Sequence, residues 1–88
     1  MFVIIPLNNN CEEHARYIFE RLKNMNIYCV LDDNYRDSLV SRYLNYNCRV
    51  ILIRYNEVND NTITIRNHNN QTVSISMNSF FQNINEYN

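Results

Sequence analysis

The chain has 88 residues and a formal net charge of -1, a length that supports one domain with a modest core and a balance that excludes a strongly basic binder of nucleic acid driven by phosphate contacts alone. With 45% hydrophobic and 19% charged residues it is not a disordered tail. Gly is absent and Pro occurs once, which excludes a P-loop or a Rossmann phosphate loop, since both need glycine for close backbone approach; turns fall to Asn and Asp.

Phe2-Val3-Ile4-Ile5 is a continuous apolar run ending at Pro6 and reads as a buried, parallel strand. Asn8 to Asn10 is a loop. Asn10 is placed to cap a helix, with Glu13 in the capping-box position. Cys11, Ala15, Ile18, Leu22 and Met25 then recur at helical spacing as one apolar stripe. Glu12 and Arg16 are i,i+4 partners on the wet side, and the helix is expected to end between Asn24 and Asn26. Ile27 to Leu31 is a second strand, with Ile27, Cys29 and Leu31 on one face and Tyr28 and Val30 on the other.

Asp32-Asp33-Asn34 breaks that strand and offers a cap to a second helix, whose apolar stripe is Leu39, Val40, Tyr43 and Leu44. Val50 to Ile53 is a third apolar strand, and Glu57 to Asn61 reads as a polar turn. Thr62 to Arg66 alternates, with Ile63 and Ile65 opposite Thr62, Thr64 and Arg66. Asn67 to Asn70 is a hairpin turn. Val73, Ile75 and Met77 continue the alternation, and Asn78 to Tyr87 reads as a terminal helix with Phe80, Phe81 and Ile84 inward. The order β-α-β-α-β-β-β-α predicts a three-layer α/β domain over residues 1–88, a mixed five-stranded sheet with helices on both faces. There is no internal repeat and no linker.

Cys11, Cys29 and Cys48 are odd in number and form no CxxC pair. The apolar opening is too short for a signal peptide and lacks a cationic flank, and no stretch is long enough to span a bilayer. Free thiols, an intracellular setting, no membrane and no metal are the expectations.

The stretches Val3-Ile4-Ile5-Pro6-Leu7, Glu12 through Ala15 to Leu22, Ile27 to Asp32, Val50-Ile51-Leu52-Ile53 and Asn56-Glu57-Val58, in this order, resemble the anticodon-binding domain shared by the threonyl, prolyl, histidyl and glycyl class II aminoacyl-tRNA synthetases. The threonyl type is the most similar. Asn61-Thr62-Ile63-Thr64-Ile65-Arg66 looks like that family's asparagine-threonine-valine-x-isoleucine-arginine strand. The resemblance covers nearly the whole chain, and a more distant one reaches the accessory subunit of mitochondrial DNA polymerase. It implies that anticodon bases are read at one edge of the sheet by the acidic residue after the third strand and the arginine on the fourth, here Glu57 and Arg66, with the loop Asp32 to Asn34 on the same rim. A carboxylate accepts from exocyclic amines, and a guanidinium stacks on a splayed base or forks onto its acceptors. The bland alternative is a Glu57–Arg66 ion pair across the hairpin.

The chain departs from the family pattern in two places. Arg54-Tyr55 stands where a glycine usually follows the third strand, either crowding the rim or offering a new contact. Ser41-Arg42 replaces a basic pair in the second helix. The expected nucleic-acid-binding set is therefore Glu57, Arg66, Asn34, Arg54, Tyr55 and Arg42. Tyr43, Tyr46 and Tyr55, interleaved with Arg42, Arg49 and Arg54, suit either a base-stacking platform or a protein interface.

A Cys11–His14 nucleophile lacks an oxyanion donor and an orienting group, His68 falls in the hairpin turn with no catalytic partner, and Asp32-Asp33 reads as a capping or solvated pair. The expectation is a stand-alone, non-catalytic domain with no cofactor and no small-molecule substrate, recognising tRNA or another tRNA-like or single-stranded RNA. The alternative is a repurposed protein-interaction module: an accessory subunit, an adaptor or a homodimer in a larger nucleic-acid-processing assembly.

Overall fold

A computed structural model describes residues 1–67 and 69–87; His68 lies outside them. One mixed sheet holds β1 (Phe2–Pro6), β2 (Cys29–Leu31), β3 (Arg49–Ile53), β4 (Thr62–Arg66) and β5 (Thr72–Ser76), in the spatial order β2-β1-β3-β4-β5. Five helices accompany it among the described residues: α1 (Glu12–Asn24), α2 (Leu39–Leu44), α3 (Tyr55–Asp60), α4 (Met77–Gln82) and α5 (Ile84–Tyr87). Every residue of β1 is buried, because it lies between parallel neighbours β2 and β3 and is covered on both faces, the setting for an unbroken apolar run. β4 runs antiparallel to β3, and β5 antiparallel to β4.

The two faces are built differently. On the first, Phe2, Ile4, Ile51, Ile53, Ile63 and Ile65 meet Ala15, Ile18 and Leu22 of α1, together with residues of α4 and α5. Phe80 is fully buried there, edge-on to Phe2 at 5.7 Å and to Phe81 at 5.0 Å between ring centroids. Each such aromatic pair adds about 0.5–1.5 kcal/mol beyond its buried area. On the second face Val3, Ile5, Val50 and Leu52 are covered by Leu39 and Tyr43 of α2 and by the following Tyr46. The register Val50↔Arg66, Leu52↔Thr64 and Thr64↔Ser74 puts Thr62, Thr64 and Arg66 of β4 and Thr72, Ser74 and Ser76 of β5 on this same face. The three β5 residues are exposed. The six-residue α2 is too short to cover both halves, so the β5 part of this face stays open and polar, while Thr64 of β4 is buried and Thr62 and Arg66 are half-buried.

Asn supplies each positive-φ position among the described residues: Asn26 (60°), Asn61 (55°) and Asn70 (65°), as a chain without glycine requires. The Glu12–Arg16 pair forms at 3.2 Å, and α1 ends at Asn24.

Several boundaries differ from the sequence reading. Asn8, not Asn10, makes the cap, its Oδ1 accepting the Asn10 N–H at 2.9 Å ahead of a 3-10 turn, Asn9–Cys11, that leads into α1. Met25 falls past the helix end and is 41% exposed. Ser38, not the Asp32 to Asn34 turn, caps α2, accepting the Ser41 N–H. The expected polar turn at Glu57 is instead α3. It has no apolar periodicity to announce it; the Glu57 carboxylate accepts the Arg54 N–H at its start, and left-handed Asn61 ends it. Met77 leaves the strand to open α4, and the terminal helix divides at Asn83.

Candidate nucleic-acid interface

Where β3 gives way to α3, Arg54 and Glu57 are brought face to face. Glu57 Oε1 accepts from the Arg54 backbone N–H at 2.8 Å and from its Nε at 2.9 Å, while Oε2 accepts from Nη2 at 3.2 Å. This is a fork of charge-assisted bonds, stronger and more directional than a single contact. Thr64, on the adjacent strand, completes it: its hydroxyl donates to Glu57 Oε2 at 3.3 Å and accepts from Arg54 Nη2 at 3.4 Å. Burial acts to raise the Glu57 carboxyl, but the bonds from Arg54 outweigh it and hold the group below the usual carboxylate range. Glu57 is only 3% exposed, whereas 41% of the Arg54 side chain reaches solvent. The carboxylate therefore acts as a mount, and the guanidinium is what it presents.

Arg66 lies two residues beyond Thr64 on the same face of β4. Its guanidinium carbon sits 4.3 Å from the centroid of the Tyr43 ring, and Nη2 donates to Asn70 Oδ1 at 2.8 Å. Tyr43, Tyr46, Asn47, Arg66 and Asn70 line a cleft of about 240 Å³. Among the described residues no carboxylate pairs with Arg66; the ion pairs there join Arg16 to Glu12, Arg42 to Asp32, and Arg54 to Glu57. The Glu57–Arg66 pair weighed from the sequence does not form.

Arg42 sits elsewhere. It is 1% exposed, with Nε donating to Asp32 Oδ1 at 3.1 Å, Nη2 to the Asp32 carbonyl at 2.6 Å and Nη1 to the Leu7 carbonyl at 3.4 Å. Tyr46 donates to Asp32 Oδ2 at 2.8 Å. Desolvation pushes the Asp32 carboxyl up, yet the bonds from the Asn34 backbone, Tyr46 and Arg42 bring it below its ordinary value. Burial and the bond to Asp32 push Tyr46 up to about 12. Arg42 and Glu57, expected to meet nucleic acid, are both enclosed, with their polar atoms already bonded within the protein. Asp32 is likewise a partner for Arg42, not a helix cap.

Asn34 is exposed beyond β2, bonded to Asp32 and Asp37. Tyr55 is 48% exposed, its hydroxyl accepting from Asn8 Nδ2 at 2.6 Å. Asn34, Arg54 and Tyr55 thus follow the carboxyl ends of parallel strands. Arg66 lies toward the other end, opposite Val50, because β4 runs back along β3. Arg54 and Arg66 are brought together by a shared face, not by a shared edge. The sequence reading missed Thr64 and the stacking of Tyr43 on Arg66. The signal for Thr64 was present in the alternation that sets it beside Arg66; the Tyr43 contact joins residues from different elements and leaves no local trace.

The chain matches the family described as Anticodon binding domain over residues 1–87. No curated protein matches it. Among solved structures, the RNA binding domain of threonyl-tRNA synthetase from Cryptosporidium parvum Iowa II superposes with a TM-score of 0.87 at 12% identity, over 99% of this chain and 23% of that one. Prolyl-tRNA synthetase from Cryptosporidium parvum, complexed with halofuginone and AMPPNP, gives 0.87 at 12% identity over 98% and 20%. The same enzyme with L-proline and AMP gives 0.85 at 12% over 97% and 20%. The chain thus spans between 20% and 23% of the length of these synthetase chains. With the sheet order, the two-faced packing and a family match running from end to end, the chain belongs to the anticodon binding domain family.

Proposed function

We propose that the open β4–β5 half of the second face binds tRNA or a tRNA-like single strand. The observation that supports this reading is Arg66: a half-buried guanidinium stacked on Tyr43, without an acidic partner among the described residues, beside the exposed polar face of β5. A base splayed onto that surface stacks on the guanidinium or accepts its fork. Arg54, mounted on Glu57, offers a second cation across Thr64. Because the net charge is -1, affinity rests on these few contacts more than on a broad phosphate field. We read the chain as an RNA-recognition module and assign it no reaction.

The test titrates the purified chain with total tRNA and with random single-stranded RNA at low and moderate salt. Selective binding to tRNA that weakens with salt is expected, and Arg66→Glu should reduce it at least tenfold. Unchanged affinity in that variant would remove the assignment.

A second reading, a protein-interaction module serving as an accessory subunit or adaptor, is favoured by α2. Val40 and Leu44 stand one turn apart, 52% and 64% exposed, and apolar side chains so placed are suited to a partner's groove. Binding of that kind would resist salt and the Arg66→Glu change, and would be lost in Leu44→Asp.

A further inference from the structure

The sheet has two edges, and they are protected unequally. β2 is three residues long and runs directly into Asp32-Asp33; shortness and adjacent charge are the usual ways of blunting an edge. β5 has five residues, Thr72-Val73-Ser74-Ile75-Ser76, and four of them are exposed. It carries no charge and no proline, and no Asp, Glu, Lys or Arg occurs anywhere from Asn67 to Asn85.

The ladder fixes which backbone groups are free. Asn67 N–H bonds to the Gln71 carbonyl and Met77 N–H to the Asn61 carbonyl. Hydrogen-bonded pairs alternate along an antiparallel ladder, so Val73 and Ile75 turn their N–H and C=O toward β4. Thr72 and Ser74 turn both groups outward, as Ser76 does its N–H, whereas the Ser76 carbonyl, at the N-cap of α4, starts that helix. The strand is also close to a palindrome about Ser74: a β-branched residue lies on each side of it, then a hydroxyl residue on each side of those.

The geometry points to β5 as the interface of a twofold homodimer, in which β5 of a second copy pairs with it antiparallel, centred on Ser74. Ser74 then exchanges both backbone bonds with Ser74 of the other copy, and Thr72 lies opposite Ser76. Val73 faces Ile75, a cross-strand β-branched pair that stabilises such a ladder. Both Ser74 groups, the Thr72 carbonyl and the Ser76 N–H find partners in this register, and a one-residue slip would misalign all of them. Nothing charged in the segment opposes the approach of an identical copy. The twofold axis is perpendicular to the sheet, so both open faces, with Arg54 and Arg66, come to one side of a continuous ten-stranded sheet. A single strand edge is a small interface, and association at high concentration is expected. This inference stands apart from the RNA reading.

Sedimentation equilibrium of the whole chain in reducing buffer, over a concentration series, is the test. The expected result is a monomer–dimer equilibrium that Ser74→Ala leaves in place and Ser74→Pro abolishes, since proline removes an outward N–H that the monomer does not use. Circular dichroism of Ser74→Pro checks the fold. Ser74→Lys and Ser74→Asp, at an exposed position, supply a second arm: each alone should dimerise at least threefold more weakly, and an equimolar mixture should recover dimer. A monomer at every concentration up to ~1 mM, which bounds any association free energy near 4 kcal/mol, would overturn the proposal. Dimerisation of the two charged variants equal to that of the parent would overturn it too.

Discussion

The parallel half of the sheet and the antiparallel half use the same residue type to opposite ends. In the β2-β1-β3 half, Arg42 is enclosed beneath α2 and ties it to the Asp32 and Leu7 carbonyls and the Asp32 carboxylate. In the β4–β5 half, Arg66 lies at the margin of α2, its guanidinium against the Tyr43 ring of that helix and one amide. Arg54 stands between these cases, anchored by Glu57 yet partly in water. Where α2 packs closely, a polar side chain serves as a fastener; at its margin the same residue type keeps part of its surface in water. In this chain the reach of α2 separates the enclosed Arg42 from the half-buried Arg66.

Substitutions should separate the two halves. The largest effect is expected at Arg42→Ala, which leaves Asp32 enclosed without its counter-charge; breaking a buried pair on one side costs about 3–5 kcal/mol, enough to lower the melting temperature by some tens of degrees or unfold so small a domain. Thermal melts followed by circular dichroism would show it, and a shift within a degree or two would end the distinction drawn here. Glu57→Ala comes next, at about 2–3 kcal/mol for the charge-assisted bonds it makes. It should also weaken RNA binding by releasing Arg54, linking mount to presented cation.

Acid titration probes both fasteners together. Asp32 and Glu57 each have a folded value below the ordinary one. Their stabilisation is therefore complete above the unfolded carboxyl range, near pH 4, and is lost as pH falls through the depressed folded values. Unfolding monitored between pH 7 and pH 2 should steepen below about pH 4, and Glu57→Gln should flatten part of that dependence; a flat profile in the parent chain would mean that neither carboxylate contributes. The smallest stability change is expected at Arg66→Ala, within about 0.5 kcal/mol as for most surface sites, even though tRNA affinity falls tenfold and the salt slope drops by about one. A stability loss as large as that of Arg42→Ala would place Arg66 among the fasteners and leave the open half without its main contact.

Much of the fold was legible because it is written locally. The Phe2 to Ile5 run and the Thr62 to Arg66 alternation appear as read, and so does the stripe of Cys11, Ala15, Ile18, Leu22 and Met25 except for Met25, which lies past the helix end. Val40 and Leu44 were misplaced for the opposite reason: apolar character does not say how much of a short helix finds a surface to cover. The α3 segment was missed because its helical turn rests on one carboxylate bonding an amide three residues back, a device without hydrophobic periodicity.

The candidate site divides in the same way. By itself the sequence determined the five strands and their succession along the chain, the alternation that puts Thr64 and Arg66 on one face, the asparagine turns, and the resemblance that singled out Glu57 and Arg66, while the order of the strands in the sheet came from the structure. Only the tertiary structure decided which arginine is buried and which is free, that Glu57 holds Arg54 instead of reaching Arg66, and that Tyr43 underlies Arg66. Those outcomes depend on how far α2 extends across the sheet and on which face β4 shares with β3. Both are set by packing between elements distant in sequence, where no local pattern records the result.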